Sequence, residues 1–292
     1  MTELTTIDPN NYGAMAKAMG IANEAPAKAK SSSLARLRIN HSPIMGTAEV
    51  KGKSVNVETV SGGTYKLEIP DGDTYFANSV KLRPHMQRFM YKRFIPAVGN
   101  GKANYNKTIM ADSLNIDLKD NYGGFNCGRP SGYVKDFDSL PQETQDLMRS
   151  TDRFKIIFGL CTLDSPKDAE GKPTEVKEFP FLMRIKNRDS FKAMTDLFSQ
   201  IQRKNRLPIQ HLVHMSSQVK SIPSGATYAV MKPYLGELVE IDTDDQETLN
   251  NFVEWVESMN TITLSKWEEH HRPDELSGDE EEIASKIIEI EE

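Results

Sequence analysis

The sequence predicts a mainly β fold with a smaller helical part, which is the α+β class. The prediction starts from residues 177–228, where apolar strand-like runs flank a segment with helical periodicity. Apolar residues recur there at i, i+3, i+6, i+7 and i+10, forming one stripe of an amphipathic helix. From residue 46, short runs alternate apolar and polar residues between glycine-rich turns, as half-buried strands do. The helical stripe consists of Phe191, Met194, Leu197, Phe198 and Ile201.

Composition divides the chain into five segments. Residues 1–44 lack sustained periodicity and include a linker-like run of Ala, Lys and Ser, which predicts a flexible basic N-terminal arm. Residues 45–73 predict a β-meander of short strands. Residues 74–236 hold the main apolar runs and form the predicted core. Residues 237–272 predict an acidic helical segment, and the low-complexity residues 273–292 predict a disordered acidic tail.

Within the core, the predicted elements follow in chain order. Residues 74–98 predict a strand in which Phe89, Tyr91 and Arg93 share one face, because side chains alternate along a strand. The opposite face then carries Arg88, Met90, Lys92 and Phe94. Further along, we predict a strand over 108–118, a short helix over 140–148, an apolar strand over 154–163, and a helix capped by Asp189 or Ser190 and ended by Pro208.

Bulk composition excludes several classes of protein. No apolar run is long enough to span a bilayer, and the first residues lack the basic and apolar regions of a secretory signal. Two cysteines are too few for a disulfide framework. We therefore expect a cytoplasmic protein, in the host cytoplasm if it is viral, with no membrane partner.

The net charge of −6 conceals two halves of opposite sign. Residues 237–292 contain 19 Asp or Glu and three Lys or Arg, a net charge of −16. Residues 1–236 contain 33 Lys or Arg and 23 Asp or Glu, a net charge of +10. A basic body followed by an acidic end is typical of nucleic-acid-binding proteins. The alternative is an acidic, solubilising tail on an ordinary domain.

Catalytic motifs are missing from the sequence. It contains no phosphate-binding P-loop, dinucleotide-binding glycine motif, His-Glu-x-x-His or Gly-x-Ser-x-Gly. Asp112, Asp117 and Asp120 could form the carboxylate site of a metal-dependent nuclease, but 42 acidic residues in 292 make such spacings common. We predict that the protein is not an enzyme and has no cofactor.

A zinc site is the remaining metal hypothesis. Cys127, Cys161, His211 and His214 could supply a Cys₂His₂ set. The two cysteines lack the close spacing of structural zinc sites, and the two histidines would face opposite sides of one strand. We predict no metal site.

Aromatic and basic residues together indicate a binding function. Seven Lys or Arg and no Asp or Glu occur between Lys81 and Lys107, interleaved with aromatic residues. Single-stranded nucleic acid is held by positive grooves in which aromatic rings stack on bases. Phe76, Phe89 and Phe94 are interpreted as core residues. The predicted DNA-binding residues are Arg88, Tyr91, Lys92, Arg93, Lys102, Tyr105, Lys107, Tyr122, Arg129, Arg184, Lys186 and Arg188.

The order of these elements is also that of an OB-fold, a five-stranded barrel with a helix between its third and fourth strands. Residues 154–233 carry the runs FKIIFGL, EFPFLMRIKNRDSFKAMTDLFSQI, LPIQHLVHMSS and ATYAVMKPY. In these runs and in its acidic end the chain resembles bacteriophage-type single-stranded DNA-binding proteins. The resemblance implies an OB-fold core that coats single-stranded DNA without sequence specificity in replication, recombination and repair.

The resemblance also implies partners. The acidic tail would recruit a replication polymerase, helicase or primase and compete with DNA for the groove. The basic arm would support cooperative binding, as a homo-oligomer or filament. The chain departs from the pattern in ending Ile290-Glu291-Glu292 rather than in an aromatic or apolar residue, and the zinc site of some relatives has no counterpart.

Three alternative functions are compatible with the same distribution of charge along the chain. The chain could be an RNA-binding or strand-annealing protein, a non-catalytic virion or assembly protein, or a nuclease that uses Asp112 and Asp117.

Overall fold

A large, mostly antiparallel sheet organises the chain in the computed structural model, which describes residues 34–50, 53–97, 99, 102–132 and 134–272. The α-helices in this part of the chain are α1 (Gln142–Ser150), α2 (Arg188–Arg203) and α3 (Thr243–Glu269). Short 3₁₀ turns cover Asn126–Gly128 and Pro208–Gln210. The strands are β1 (Ala35–Ile39), β2 (Ile44–Val50), β3 (Lys53–Val60), β4 (Tyr65–Glu68), β5 (Thr74–Ala77), β6 (Val80–Ile95), β7 (Asn104–Lys107), β8 (Thr151–Leu163), β9 (Phe179–Ile185), β10 (His211–Ser221) and β11 (Thr227–Leu238).

Nine strands form the large sheet in the order β11-β10-β6-β8-β9-β1-β4-β5, with β7 paired to the end of β6. Every pairing in it is antiparallel except that of β1 with β9. The strands β2 and β3 form a separate hairpin. The chain is therefore a mixture of α and β structure, as predicted for the α+β class.

One face of the sheet encloses the main core together with α2. Along β1 the side chains alternate between buried and exposed, because successive residues point to opposite faces of the sheet. The buried side chains Leu37 and Ile39 pack in one cluster with Met194 and Ile201 of α2 and with Met231 of β11. The Tyr65 hydroxyl donates to the Ser216 carbonyl at 2.8 Å, so β4 lies against the far strand β10 although the two are not paired in the sheet.

The other face of the sheet is covered by α3. Met90 of β6, Phe158 of β8 and Leu182 of β9 pack against Phe252 and Val256 of the helix. The predicted acidic segment, 237–272, thus contains a 27-residue helix that lies on the strands. No helix in the described ranges is long and apolar enough to span a membrane.

A β-bulge interrupts the pairing of β6 with β8 between Pro84 and Met86. Gly159 lies opposite the bulge, where a Cβ atom would collide with the Arg83 carbonyl and Pro84. A bulge shifts which side chains face each side. Leu82, before it, packs in the main core, whereas Met86 and Met90, after it, pack beneath α3.

The predicted segment boundaries need correction at the N-terminal end. The predicted arm, 1–44, lies outside the described residues up to residue 33, but Ala35–Ile39 forms β1 inside the large sheet. The predicted meander, 45–73, contributes the separate hairpin and also β4, which belongs to that same sheet. The predicted tail, 273–292, lies outside the described residues.

Two local predictions were wrong. Residues 108–118 do not form a strand, and make only isolated bridges such as Phe89 with Ala111. The cap of α2 is Asn187, whose side-chain oxygen accepts from the backbone N–H groups of Asp189 and Ser190, both at 3.0 Å. The Ser190 hydroxyl instead accepts from the Met231 N–H and ties the helix to β11.

Candidate nucleic-acid interface

Two half-exposed rings lie side by side at the outer end of β6. Phe94 and Tyr105 are directly opposite each other in the β6–β7 pairing, with ring centres 5.3 Å apart. They are 52% and 46% exposed, so the interpretation of Phe94 as a core residue was wrong. Lys92 Nζ lies 3.6 Å from the centre of the Tyr105 ring. A cation over an aromatic face is a stable contact that also holds the ring in place.

Several cations share the sheet face that carries this ring pair. Lys92 pairs directly with Lys107 across β6 and β7, and directly opposed side chains lie on one face. Burial lowers the pKa of Lys92, and the positive charges of Arg184 and Lys107 lower it further. Burial likewise lowers the pKa of Lys107, followed by the charges of Lys266 and Arg184. We call Lys92, Lys107, Arg184 and Lys266 the cationic face.

Arg36 of β1 adds to this face. Its charge lowers the pKa of both Lys92 and Arg184, after the larger effect of burial on each. The parallel pairing of β1 with β9 brings Arg36 there, opposite Leu182. Asp152 acts on Lys92 in the opposite sense, but its carboxylate is engaged by Lys186 at 3.1 Å. Cations held together in this way create a positive electrostatic potential at this surface.

A second basic surface is a cleft of about 490 Å³ between α2 and the start of β8. Among the described residues, Asp152 is the single carboxylate in its lining, and the wall also includes Phe191, Thr195, Met148 and Thr151. We call it the basic cleft. Its cations are Arg129, Arg153, Lys186, Arg188 and Lys192.

The twelve predicted residues are therefore distributed over several surfaces. Lys92, Tyr105, Lys107 and Arg184 meet on the cationic face, whereas Arg129, Lys186 and Arg188 line the basic cleft. Lys102 is exposed between β6 and β7. Arg88 forms an ion pair with Asp112 at 2.6 Å.

Tyr91 and Arg93 do not fit the prediction. Tyr91 is buried and packs with Leu118 and Cys127, so its ring cannot stack on a base. Arg93 is half-buried, and its Nε atom is buried without a hydrogen-bond partner. The predicted division of β6 into two faces nevertheless holds, since Phe89 contacts Phe191 on one side and Met90 packs beneath α3 on the other.

Tyr122 belongs to a second aromatic group at the C-terminal end of α3. Its ring stacks on His270 with centres 6.3 Å apart, and Trp267 stacks on His271 at 3.8 Å. Lys119 Nζ lies 3.9 Å from the centre of the Trp267 ring. Sequence reasoning missed Trp267 and Lys119, because the helix that brings Trp267 to residues 119–125 is far from them in the chain.

The residues considered for metal binding lie in separate places. Cys127 and Cys161 are free and buried, and burial raises the pKa of each thiol to about 12. His214 Nε2 lies 2.8 Å from a carboxylate oxygen of Glu237. Within the described ranges, no cluster of three His, Cys, Asp or Glu side chains could hold a metal ion.

The three aspartates considered for a nuclease have structural partners. Asp120 accepts hydrogen bonds from the backbone N–H groups of Tyr122, Gly124 and Cys127. Asp117 accepts from the Asn126 amide and the Ser131 hydroxyl. These two carboxylates organise the loop that leads into the 3₁₀ turn at Asn126–Gly128.

Comparisons of the chain with protein-family models, curated proteins and solved structures find no match.

Proposed function

We propose that the protein binds single-stranded DNA without sequence specificity and coats it during replication, recombination or repair. The observation that supports this proposal is the cationic face with the exposed Phe94–Tyr105 pair beside it. Phosphates would lie against Lys92, Lys107 and Arg184, and a base would stack on the exposed ring pair. Stacking contributes about 1–3 kcal/mol per base, and each neutralised phosphate adds a salt-dependent term.

The basic cleft provides further cations that the same nucleic-acid strand could contact. It lies beyond Asp152 and Lys186, at the end of β9 that follows Arg184. A flexible single strand could follow both surfaces around this end of the sheet, whereas a duplex is too stiff to do so. This geometry favours single strands over duplex DNA.

We also propose that the large sheet is a variant of the OB-fold. The main core is enclosed by strands from β1 to β11, and α2 joins β9 to β10 as the helix of an OB-fold joins its third and fourth strands. The Tyr65–Ser216 hydrogen bond links strands from opposite parts of the sheet. The extra strands and the packing of α3 would be additions to that barrel.

The proposed role is non-catalytic, and partner recruitment through the acidic tail remains part of it. Asp112 is paired with Arg88, and Asp117 and Asp120 are committed to loop hydrogen bonds. Cleavage of a labelled single strand on addition of Mg²⁺ or Mn²⁺ would favour the nuclease alternative.

The test is fluorescence anisotropy with a 30-nucleotide oligo-dT and its duplex over a range of salt concentrations. We expect a preference for the single strand and an affinity that falls steeply with salt. Tyr105→Ala should weaken binding by roughly tenfold, as the loss of one stacked base predicts. Lys107→Ala should reduce the salt slope by about one.

Tyr234→Ala is the matched control. Tyr234 is 47% exposed, and Lys232 Nζ lies 5.6 Å from its ring centre, but it lies on β11 away from the cationic face. Equal effects of the two tyrosine substitutions would contradict the proposed surface. Preference for poly-U or strong annealing activity would favour the RNA-binding or annealing alternative, and no binding at low salt would favour the virion protein.

A further inference from the structure

A lysine side chain is buried directly behind the wall of the basic cleft. Lys155 lies in the middle of the apolar strand β8 and is 2% exposed. Its direct neighbours across the sheet are Phe89 of β6 and Ile185 of β9, which lie on the same face. This is the face that packs against α2.

Aromatic rings and one hydroxyl surround the ammonium group of Lys155. Nζ lies 5.1 Å from the ring centre of Phe191, 5.4 Å from that of Phe89 and 5.5 Å from that of Phe198. It donates a hydrogen bond to Thr195 Oγ1 at 2.8 Å. The Thr195 hydroxyl in turn donates to the Phe191 carbonyl at 2.8 Å.

Within the described part of the chain, the charge of Lys155 has no carboxylate to balance it. Among the described residues no ion pair joins Lys155 to an acid, and burial alone lowers its pKa to about 8. On β8, Arg153 lies on the same face and lines the cleft. On β6, Arg88 is engaged by Asp112 on the opposite face, and Tyr91 packs with Leu118.

The remaining charged groups near Lys155 are on α2 and after β9. Lys192 pairs with Asp196 at 2.7 Å on the exposed side of α2, Asp189 pairs with Lys220, and Lys186 pairs with Asp152. Among the residues that the structure describes, the ammonium therefore faces no carboxylate from any element packed against it.

The contacts of Lys155 connect it to the cleft. Phe191 and Thr195, which touch its ammonium, are themselves part of the cleft wall. An anion in the cleft would be separated from the buried charge by a single layer of side chains. In such a poorly solvated region the attraction between the two charges is screened much less than in water.

We propose that Lys155 is a positioning residue of the basic cleft, whose buried ammonium is stabilised by a nucleic-acid phosphate in the cleft, so that binding is coupled to proton uptake. The proposal rests on the proposed function. Free protein loses the Lys155 proton near pH 8, whereas bound protein retains it to a higher pH. Affinity must therefore fall as pH rises through this interval, by tenfold for each unit by which binding raises the pKa.

The first experiment follows Lys155 directly. The side-chain signals of isotope-labelled lysine are recorded by NMR as a function of pH, for the full chain alone and with oligo-dT, and Lys155→Met assigns the signal. We expect the midpoint of the Lys155 titration to rise by about one unit on binding. An unchanged midpoint in protein that binds oligo-dT would overturn the proposal.

The second experiment measures oligo-dT affinity between pH 7 and pH 10. The wild-type chain should lose about tenfold more affinity over this range than Lys155→Met, while the titration of Lys92 and Lys107 contributes equally to both. Lys177→Met is the matched control, since Lys177 is exposed beside Glu175 before the opposite end of β9. It should keep the wild-type profile.

The outcomes separate the two proposals. Binding with equal pH profiles for wild type and Lys155→Met would refute the role of Lys155 and leave the proposed function standing. Absence of oligo-dT binding at every pH would refute both.

Discussion

At the scale of single residues, an exposed aromatic ring and a buried lysine both lie beside the candidate interface. Phe94 is 52% exposed, whereas Lys155 is 2% exposed. Hydrophobic burial would favour the opposite arrangement for each, since an isolated buried charge is among the least favourable groups in a protein interior. Both exceptions lie next to surfaces rich in cations. Such departures from the pattern of stable folding are expected where residues serve binding.

The stability of the protein should depend on the ionisation of Lys155. Its folded pKa, about 8, lies below the ordinary value of 10.5, so folding favours the neutral amine. The resulting penalty is fully present below pH 8 and is relieved as pH rises to about 10.5. We expect Lys155→Met to raise the free energy of unfolding at pH 7 by on the order of 2–3 kcal/mol.

The measurement is urea denaturation of both proteins at pH 7 and at pH 10.5. The advantage of Lys155→Met should shrink at the higher pH, because the folded wild-type amine is then neutral and half of the unfolded amine is neutral as well. Lys177→Met serves again as the control and should change stability little at either pH. A constant difference between the two pH values would contradict the assigned ionisation.

At the scale of elements, α3 is fixed to the sheet at its first turn by a buried charge network. Asp242 and Asp245 form a reciprocal capping box that satisfies N–H groups of the helix. Asp245 is buried and also accepts from Arg83 Nη2 at 2.5 Å, with His85 Nε2 at 3.1 Å from its other oxygen. Burial lowers the pKa of His85, whose Nδ1 lies 2.9 Å from the Arg83 carbonyl oxygen. Arg83 and Asp245 form the ion pair of this network, and both side chains are largely buried.

Asp245→Asn should destabilise the protein by about 3 kcal/mol, because it leaves the largely buried Arg83 without its counter-charge. Chemical denaturation provides the measurement. Glu247→Gln removes an exposed carboxylate from the same helix and should change stability by less than about 0.5 kcal/mol. Similar effects of the two substitutions would show that the buried pair does not hold α3.

Much of the arrangement of elements was predictable, and the exceptions have physical reasons. Strands β6 and β8, helix α2 and the two faces of β6 follow directly from the periodicity of apolar residues. Strand β1 was missed although Ala35, Leu37 and Ile39 alternate with Arg36 and Arg38, because the linker-like composition before it suggested a flexible arm. The 27 residues of α3 form one helix since nothing between Met259 and Leu264 breaks it.

The candidate site was less predictable than the elements. Sequence spacing identified Lys92, Tyr105 and Lys107, which a hairpin brings together, but could not separate the cationic face from the basic cleft. Periodicity gave no sign that Tyr91 would be buried by Leu118, which is remote in sequence. Lys155 was overlooked because a single lysine in the run FKIIF does not alter an apolar pattern. In each of these examples the position of the side chain depends on contacts between segments that are distant in the sequence.

At the scale of the whole molecule, opposite charges are concentrated in different parts of the chain. The described sheet carries the cationic face and the basic cleft, whereas residues 273–292 contain nine Asp or Glu and one Lys. Deleting these residues changes the formal net charge from −6 to +2. A polyanionic segment competes with nucleic acid for the same cations, and this competition weakens as salt rises.

Deletion of residues 273–292 should therefore tighten binding to oligo-dT at low salt. Fluorescence titration of the full and shortened chains at low and high salt provides the comparison. A chain of full length in which the nine acidic residues are replaced by Asn and Gln separates charge from length. Unchanged or weaker affinity of the shortened chain would refute the model of a competing tail.

The parallel pairing of β1 with β9 also constrains how the protein folds during synthesis. Ala35 lies opposite Phe181, so partners in the middle of the sheet are 146 positions apart in the chain. Closing so long a loop is slow compared with forming hairpins such as β10–β11. A ribosome must also have released more than half of the chain before β9 is available.

Until then β1 can pair only with β4, and the side of β1 that carries the backbone groups for β9 is an open edge able to recruit another strand. Ala35–Ile39 is thus the segment through which a nascent or truncated chain should aggregate or exchange strands.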